Sequence, residues 1–377
     1  MSVPAAPDPS SVRVRTVLGD VPADTLGHTQ PHEHVLSDMS SIIQPWGLQT
    51  LAGQDQVSTG TGAMSVGSEF PASVRQRVTE PIALGNYDWI RRNVLNQDNM
   101  RLLSEEDAVA ELALYRAAGG GAVVDSTPVG MGRDPLGLAR VARATGVQIV
   151  MGSGYYVHDY HPRGLDQVAR EAIRDEIVRD VRDGVGDTGV RAGLIGEIGL
   201  SWPVHPTEAT VLAAAAEAQA ITGAALQIHP GRAPQAPLDA IRQVQAAGGA
   251  PERTIMSHID RTLWELDDMV ELARTGCWLE LDLFGQESSY YGLNPDARRP
   301  NDRTRIEWLI ALAEAGFGDR LLIAQDICQK VYLRRYGGPG YTHILEQAVP
   351  LMRRMGMDAA AVRRVTVENP AAILALA

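Results

Sequence analysis

Eight short apolar runs, separated by polar clusters and amphipathic segments, constrain the fold of this chain more than any other feature. The runs cover residues 24–34, 121–126, 148–152, 192–198, 225–229, 254–258, 277–283 and 321–324. Several are continuously apolar, which is the pattern of strands buried on both faces. Strand and helix units that recur at intervals of about 25 to 45 residues predict parallel strands joined by right-handed crossovers.

Eight such units favour an α/β fold of the closed (β/α)8 type, a TIM barrel, over an open doubly wound sheet. No G-x-G-x-x-G turn follows the first run, as an open nucleotide-binding sheet would often require. Residues 41–92 interrupt the rhythm, so we predict a long inserted loop after strand 1 that serves as a lid or an oligomer contact. Residues 1–11 are predicted to be disordered, and residues 12–377 to form a single domain with C-terminal helices over the barrel.

The segments between the runs carry recognisable helix ends. Ser104 opens an S-E-E-D sequence typical of a helix N-cap, and Gly119 stands where a glycine would end that helix. Further helices are predicted over residues 165–183, 207–223, 237–247, 263–275 and 303–315.

Composition narrows the class of protein. The net charge of −12 argues against a general nucleic-acid-binding protein. No apolar run reaches the roughly 18 to 20 residues that a membrane-spanning helix needs, and the first residues lack the pattern of a secretory signal. Two cysteines, Cys277 and Cys328, cannot form a disulfide framework. We therefore expect a cytoplasmic protein without a membrane or nucleic-acid partner.

The strongest chemical motif is P-H-E-H at the end of the first run. His32 and His34 are two residues apart, so in a strand both imidazoles point to the same side and can reach one metal ion. A structural pair of histidines is the alternative for such a motif alone. Its position favours the metal site, because the carboxyl ends of barrel strands face the catalytic mouth.

Four later runs end on similar side chains. Glu197, His229, His258 and Asp326 lie at or just after the ends of predicted strands 4, 5, 6 and 8. A carboxylate inside an apolar run is costly to bury unless it is paired or binds a metal. Four histidines and two carboxylates suit two divalent ions that share a carboxylate and a hydroxide. Asp326 would also take the proton from the attacking hydroxide. A degenerate barrel without metal is the alternative.

Stretches along nearly the whole chain resemble the phosphotriesterase-related branch of the phosphotriesterase family, in the amidohydrolase superfamily. They are TVLGDV, TQPHEHVL, AAGGGAVVDST, GSGYYV, GLIGEIGLSWP, IHPGR, SHIDRT, AQDIC, YGGPGYTHIL and VENPAAIL. The resemblance implies a (β/α)8 barrel with a binuclear metal centre, most often zinc, with Mn²⁺, Co²⁺ or Fe²⁺ as alternatives. It implies that the first metal is held by His32, His34 and Asp326, the second by His229 and His258, and that Glu197 bridges the two.

One position departs from the best-known members, which bridge their metals with a carboxylated lysine on strand 4. Here Gly196 and Glu197 stand at that place, and the only lysine, Lys330, follows strand 8. The G-E-I-G motif resembles that of the phosphotriesterase-related subgroup, which implies a glutamate bridge. The departure weakens the case for organophosphate substrates.

Two further side chains are candidate catalytic residues, with Asp326. Tyr156 falls where lactonase-type relatives place a tyrosine near the bridging hydroxide, and a packing role is its alternative. Asp260 resembles a family position that assists proton transfer, and a salt bridge is its alternative. Three cations follow strands 5, 6 and 8 and are candidate substrate-binding residues for an anionic group, with structural ion pairs as the alternative: Arg232, Arg261 and Lys330.

These observations predict a binuclear metal-dependent hydrolase that cleaves a small amide or ester. The resemblance favours an N-acyl amino or sulfonic acid as the substrate and, by analogy, a homodimer. A lactonase or a phosphotriesterase on the same scaffold is the alternative. A non-catalytic ligand-binding barrel is the alternative from another class of protein.

Overall fold

The computed structural model describes residues 12–42, 57–58, 63–64, 72–92, 96–288 and 299–376. The predicted disordered start, residues 1–11, lies outside the described residues. Most of the predicted insertion at 41–92 also lies outside them, so its role as a lid or oligomer contact stays a prediction.

Eight parallel strands follow one another around a barrel in chain order. They are β1 His28–Glu33, β2 Gly120–Asp125, β3 Gln148–Ser153, β4 Leu194–Gly199, β5 Ala225–His229, β6 Thr254–Met256, β7 Trp278–Leu281 and β8 Leu321–Ile323. Beyond β8 the chain returns to β1, where the Asp326 amide donates to the His32 carbonyl at 3.1 Å and the His34 amide donates to the Ile327 carbonyl at 3.2 Å. The predicted (β/α)8 barrel is confirmed.

Helices surround the barrel and cover its end. They span Ala72–Thr79, Tyr87–Arg92, Glu105–Ala117, Pro135–Thr145, Arg170–Arg182, Pro206–Thr222, Ala236–Ala246, Ile259–Thr262, Leu266–Ala273, Asp302–Leu312, Val349–Arg354, Ala359–Arg363 and Asn369–Leu374. Ser104 caps its helix as predicted, since its side chain accepts from the Asp107 amide. The sequence analysis missed Pro135–Thr145, although Asp134 caps it and Gly146 ends it in the left-handed conformation. No helix in the described ranges is long and apolar enough to cross a membrane.

Three short antiparallel pairs complete the described strands. Arg13–Thr16 pairs with Gly19–Pro22, Ser37–Asp38 with Arg101–Leu102, and Val57–Ser58 with Ala63–Met64.

The barrel interior is apolar at one end and polar at the other. Residues two apart on a strand share a face, so Ala225, Gln227 and His229 all point to one side of β5. An apolar floor of the barrel includes the strand residues Val124, Val150, Leu194, Ala225, Ile255 and Leu322, against which Val14, Ile373 and Leu374 pack. The polar side chains of the predicted site lie beyond this floor, toward the carboxyl ends of the strands.

Most strand boundaries differ from the prediction by one or two residues, and two of the differences are described here because they lie close to the predicted ligands. The first apolar run was expected to be a strand from residue 24, but Ala23–Thr25 forms a 3-10 turn and β1 begins at His28. The sixth was expected to reach His258, but β6 ends at Met256. His258 lies beyond it in the left-handed region, with φ of 54°. The chain thus turns sharply at one of the predicted ligands.

Candidate metal centre

The six predicted metal ligands lie together at the carboxyl end of the barrel. Glu197 stands between two pairs of histidines. Its Oε1 lies 3.4 Å from His34 Nε2, and its Oε2 lies 3.6 Å from His32 Nε2, 3.0 Å from His229 Nδ1 and 3.3 Å from His258 Nε2. This is the placement expected of a carboxylate shared by two ions.

Asp326 completes the side of the cluster formed by β1. Its Oδ1 lies 3.3 Å from His34 Nε2 and 3.8 Å from His32 Nε2. Two groups of three side chains are close enough to hold one ion each, one of His32, His34 and Asp326 and one of Glu197, His229 and His258. These are the two ligand sets that the sequence resemblance implied.

Gly196, the residue before Glu197 on β4, leaves no room for a side chain. Gly196 has φ of 124°, and a Cβ added there would lie 2.3 Å from the Gln227 carbonyl oxygen. Any side chain at this position would be strained and would collide with β5. Glu197, the residue after Gly196, therefore supplies the carboxylate that β4 brings to the cluster.

The donor set fits divalent metal ions. His32 Nε2 is buried and finds no hydrogen-bond partner within the described residues, although it faces the carboxylates of Glu197 and Asp326. An unsatisfied buried imidazole nitrogen is costly, and a metal ion would satisfy it. Imidazole nitrogens and carboxylate oxygens are the donors that zinc and other first-row divalent ions accept.

A second group of side chains orients these imidazoles, and the sequence analysis missed it. Glu280 Oε2 lies 3.0 Å from His32 Nδ1, and Asp282 Oδ1 lies 2.9 Å from His258 Nδ1. Thr127 Oγ1 lies 2.9 Å from His34 Nδ1. Such partners fix the ring and its tautomer in metal sites. The signal was present, because two acids stand two residues apart within the apolar run at 277–283.

Asp282 also belongs to a third close group, with His32 and His258. The imidazole atoms nearest to it are the Nδ1 atoms of both rings, at 3.1 and 2.9 Å. The same two rings offer their Nε2 atoms to Glu197, so each ring has one nitrogen for each carboxylate. This arrangement makes Asp282 an orienting partner of both rings.

The charges of the cluster are strongly coupled. Burial alone lowers the pKa of His34, but hydrogen bonds to Asp326 and Glu197 raise it to about 9. Burial likewise lowers the pKa of His258, but the charge of Asp282 and the hydrogen bonds to Asp282 and Glu197 together raise it to about 9. Burial and the positive charge of His258 hold the pKa of His229 well below its usual value. In the metal-free protein, protons on some of the imidazoles therefore balance the carboxylates.

Tyr156 and Arg261 lie against His229. The Tyr156 hydroxyl is 3.1 Å from His229 Nδ1, and Arg261 Nη2 donates to His229 Nε2 at 3.0 Å. Burial and the charge of Glu197 raise the pKa of Tyr156 well above its usual value. The nearby positive charge of Arg232 acts in the opposite direction and lowers this pKa. Tyr156 is therefore a hydrogen-bond donor at neutral pH, and two arginines stand near it.

The other predicted cation lies elsewhere. Lys330 forms an ion pair with Asp98, its Nζ 2.6 Å from Oδ1. It also lines a cleft of about 470 Å³ together with Arg335 and Tyr336, and none of the six predicted ligands lines that cleft. The structural alternative named for this lysine, an ion pair, is present, and its substrate-binding role stays a prediction.

Asp260 lies in a buried ion-pair network. Its Oδ2 accepts from Arg305 Nε at 2.6 Å, and Arg305 Nη1 donates to Asp302 Oδ1 at 3.0 Å. Asp302 in turn contacts His343, with 2.6 Å between Oδ2 and Nε2. Asp260 and Arg305 are fully buried. The predicted role of Asp260 in proton transfer stays a prediction.

Replacing Arg305 by methionine is expected to lower the free energy of unfolding by about 3 to 5 kcal/mol, because it leaves buried carboxylates uncompensated. Urea denaturation of the metal-free protein would measure the loss. The matched control is Arg303→Met on the same helix, since Arg303 is exposed and its closest contact to Glu307 is 4.0 Å. Equal stability of the two variants would show that the buried network adds little.

Comparison with known proteins agrees with this fold. The model of the phosphotriesterase family matches residues 12–374. N-acetyltaurine hydrolase of Bos taurus is 39% identical over 362 residues, covering 96% of this chain and 97% of the relative. N-acetyltaurine hydrolase of Homo sapiens is 38% identical over 363 residues, with the same coverage. The crystal structure of a resiniferatoxin-binding protein from Rhodobacter sphaeroides superposes with a TM-score of 0.86 and 31% identity, covering 97% of this chain and 96% of that one.

In this (β/α)8 barrel, histidines and carboxylates at the strand ends surround a central glutamate. This combination of fold and site is typical of a class of barrel hydrolases. The chain belongs to the phosphotriesterase family, as its sequence motifs predicted. Members of this family usually bind divalent metals, and the two ligand groups described above are the candidate sites.

Proposed function

We propose that the protein is a binuclear metal-dependent amidase that cleaves N-acetyltaurine or a closely related N-acyl amino sulfonic or carboxylic acid. The observation that carries the proposal is the placement of Glu197 between two histidine pairs, in a chain 39% identical to an N-acetyltaurine hydrolase over nearly its full length. Zn²⁺ is the proposed metal, held by the six residues of the two ligand groups.

The proposed roles of the side chains follow from where they lie. Divalent ions bound here would lower the pKa of water and polarise the acyl carbonyl group. Asp326, whose side chain is 15% exposed at the mouth, would accept the proton of the attacking water and pass it to the departing amine. Tyr156 would donate a hydrogen bond to the acyl oxygen. Asp260 remains a proposed relay for the proton.

The two arginines near Tyr156 support an anionic substrate. Arg261 is 3% exposed, and its acceptors include His229 Nε2 and the Pro230 carbonyl. Burying a guanidinium beside a site that attracts metal ions is costly, and an anionic substrate group would offset that cost. N-acetyltaurine carries a sulfonate on the leaving amine, so we propose that Arg261, with Arg232, binds this group. Lys330, which pairs with Asp98, would act farther from the metal ligands.

A substrate panel tests the proposal. N-acetyltaurine, N-acetyl amino acids, the neutral N-ethylacetamide, γ- and δ-lactones and an aryl phosphotriester would be compared by kcat/KM on the metal-loaded protein. We expect N-acetyltaurine to exceed N-ethylacetamide by about 10²-fold, the value of one or two charge-assisted hydrogen bonds. Higher kcat/KM for lactones or the phosphotriester would favour those activities. If the protein binds two metals and yet hydrolyses none of these compounds, the result would favour a non-catalytic ligand-binding barrel.

Replacing Arg261 by methionine is expected to lower kcat/KM for N-acetyltaurine by about 10²-fold while leaving that for N-ethylacetamide unchanged, because only the anionic substrate uses the guanidinium. The metal content is measured for each variant, since Arg261 also contacts His229. Arg140→Met is the control, because Arg140 is exposed and pairs with Glu105 on the outer helices. Equal losses on both substrates would contradict an anion-binding role.

A further inference from the structure

Two of the proposed ligands have an unusual backbone conformation. His258 and Asp326, with φ of 54° and 48°, are the two residues other than glycine with positive φ in the described part of the chain. A single residue in the left-handed region costs roughly 1 to 2 kcal/mol, although aspartate and histidine tolerate it better than most. Such conformations persist only where surrounding contacts hold them.

Glu33 makes the contacts that hold Asp326. It stands between the two histidines of the P-H-E-H motif, and because neighbours on a strand point to opposite faces, it points away from the side of His32 and His34. Its Oε1 accepts from the Gln325 amide at 2.8 Å, and its Oε2 accepts from the Ile327 amide at 2.9 Å. These two amides flank Asp326 on either side.

This carboxylate is otherwise unexplained by the proposed chemistry. Glu33 is fully buried. A buried carboxylate is costly. A hydrophobic side chain would pack between β1 and β8 at a lower cost in desolvation free energy. We therefore attribute a separate role to the two hydrogen bonds that Glu33 accepts from the backbone amides.

The other left-handed ligand is held in a similar way. Asp282, just beyond β7, accepts from the His258 backbone amide at 2.9 Å through Oδ2 while its Oδ1 contacts the ring of the same residue. Each strained ligand is therefore fixed through backbone amides by a buried carboxylate from a neighbouring strand.

We propose that Glu33 is a positioning residue for Asp326: its carboxylate clamps the two flanking amides and so holds the Asp326 side chain at the metal centre. This inference rests on the proposed metal-dependent function. It predicts that losing the clamp weakens metal binding at the site formed with His32 and His34, even though Glu33 does not point toward that site.

The test compares wild-type protein with Glu33→Gln by two measurements. A glutamine has one acceptor oxygen, and its amide group would oppose one of the two backbone N–H groups. In the metal-free proteins, hydrogen exchange at the Gln325 and Ile327 amides is expected to be about tenfold faster or more in the variant. Zinc dissociation constants, obtained by competition with a chromophoric chelator, are expected to rise by about 10- to 100-fold.

Glu208→Gln is the matched control, because Glu208 is also fully buried and accepts from the backbone amides of His158, Ser201 and His205, none of which is a proposed ligand. It is expected to lower the melting temperature and to retain the wild-type zinc dissociation constant. If Glu33→Gln does not fold, Glu33→Asp replaces it in the test, because aspartate keeps the charge but is too short to reach both amides. Faster exchange at the two amides and a higher zinc dissociation constant are expected for this variant as well.

Wild-type exchange rates or a wild-type zinc dissociation constant in the folded Glu33 variant would overturn the clamp, as would an equal loss of zinc affinity in Glu208→Gln. If the wild-type protein binds no metal at all, the proposed function fails. If the wild-type protein binds zinc, but no more tightly than Glu33→Gln, only the role proposed for Glu33 fails.

Discussion

The Glu197→Ala variant is expected to lose at least one of two metal ions and to lower kcat by about 10³-fold or more. The reason is that one carboxylate serves both ligand groups, with Oε1 near His34 and Oε2 near His32, His229 and His258. Without it, the buried histidines of both pairs would each lose a carboxylate contact. Elemental analysis gives the metal content, and initial rates on the best substrate of the panel give kcat.

Two companion variants make this result specific. Glu197→Gln keeps the size of the side chain and removes the charge, so it is expected to lose metal as well. Cys328→Ala alters a half-buried thiol two residues beyond Asp326 and is expected to leave metal content and kcat unchanged. Two metals per chain in Glu197→Ala would remove the assignment of Glu197 as the bridge.

Metal affinity is expected to fall at least 100-fold between pH 8 and pH 6, because each displaced proton contributes about tenfold per pH unit. In the metal-free protein the pKa values of His34 and His258 are about 9, against an ordinary value of 6.5. A metal ion binds neutral imidazole, so binding near neutral pH must release these protons. Zinc competition assays at pH 6, 7 and 8 would measure the slope, and calorimetry in two buffers would count the protons.

The same protons set the pH dependence of stability without metal. A raised pKa in the folded state stabilises the metal-free protein below pH 6.5, and the contribution is lost as the pH rises through about 9. The melting temperature of the metal-free protein is therefore expected to fall between pH 7 and pH 9.5, and the stabilisation by zinc to increase. A zinc affinity independent of pH would show that the imidazoles are already neutral.

The architecture could be predicted from the sequence because the strands of a parallel barrel are buried on both faces and read as apolar runs. The ends of the strands were harder to predict. The first strand was predicted to begin at residue 24, but residues 24–27 read Asp-Thr-Leu-Gly, and the turn at Ala23–Thr25 delays the start of β1 to His28. His258 was assigned to a strand because a left-handed turn at a histidine has no marker in the sequence, unlike one at a glycine.

The proposed ligands could be predicted for a different reason. Imidazoles and carboxylates at the ends of parallel strands must meet at one end of a barrel, so their positions in the chain imply their proximity. No such rule predicts the side chains that only orient the ligands or pair with them. Glu280 and Asp282 are visible only as acids in an apolar run, and the partner of Asp260, Arg305, lies 45 residues further along the chain on another helix. Their pairing depends on packing that no local pattern records.

The floor of the barrel has a practical consequence. Val14 and Ala375 form a β-bridge there, and the Leu376 amide donates to the Arg13 carbonyl at 2.9 Å, at the pole opposite the histidines. Tethering the protein to a surface through this pole would leave the carboxyl ends of the strands, with the proposed ligands, facing the bulk solution.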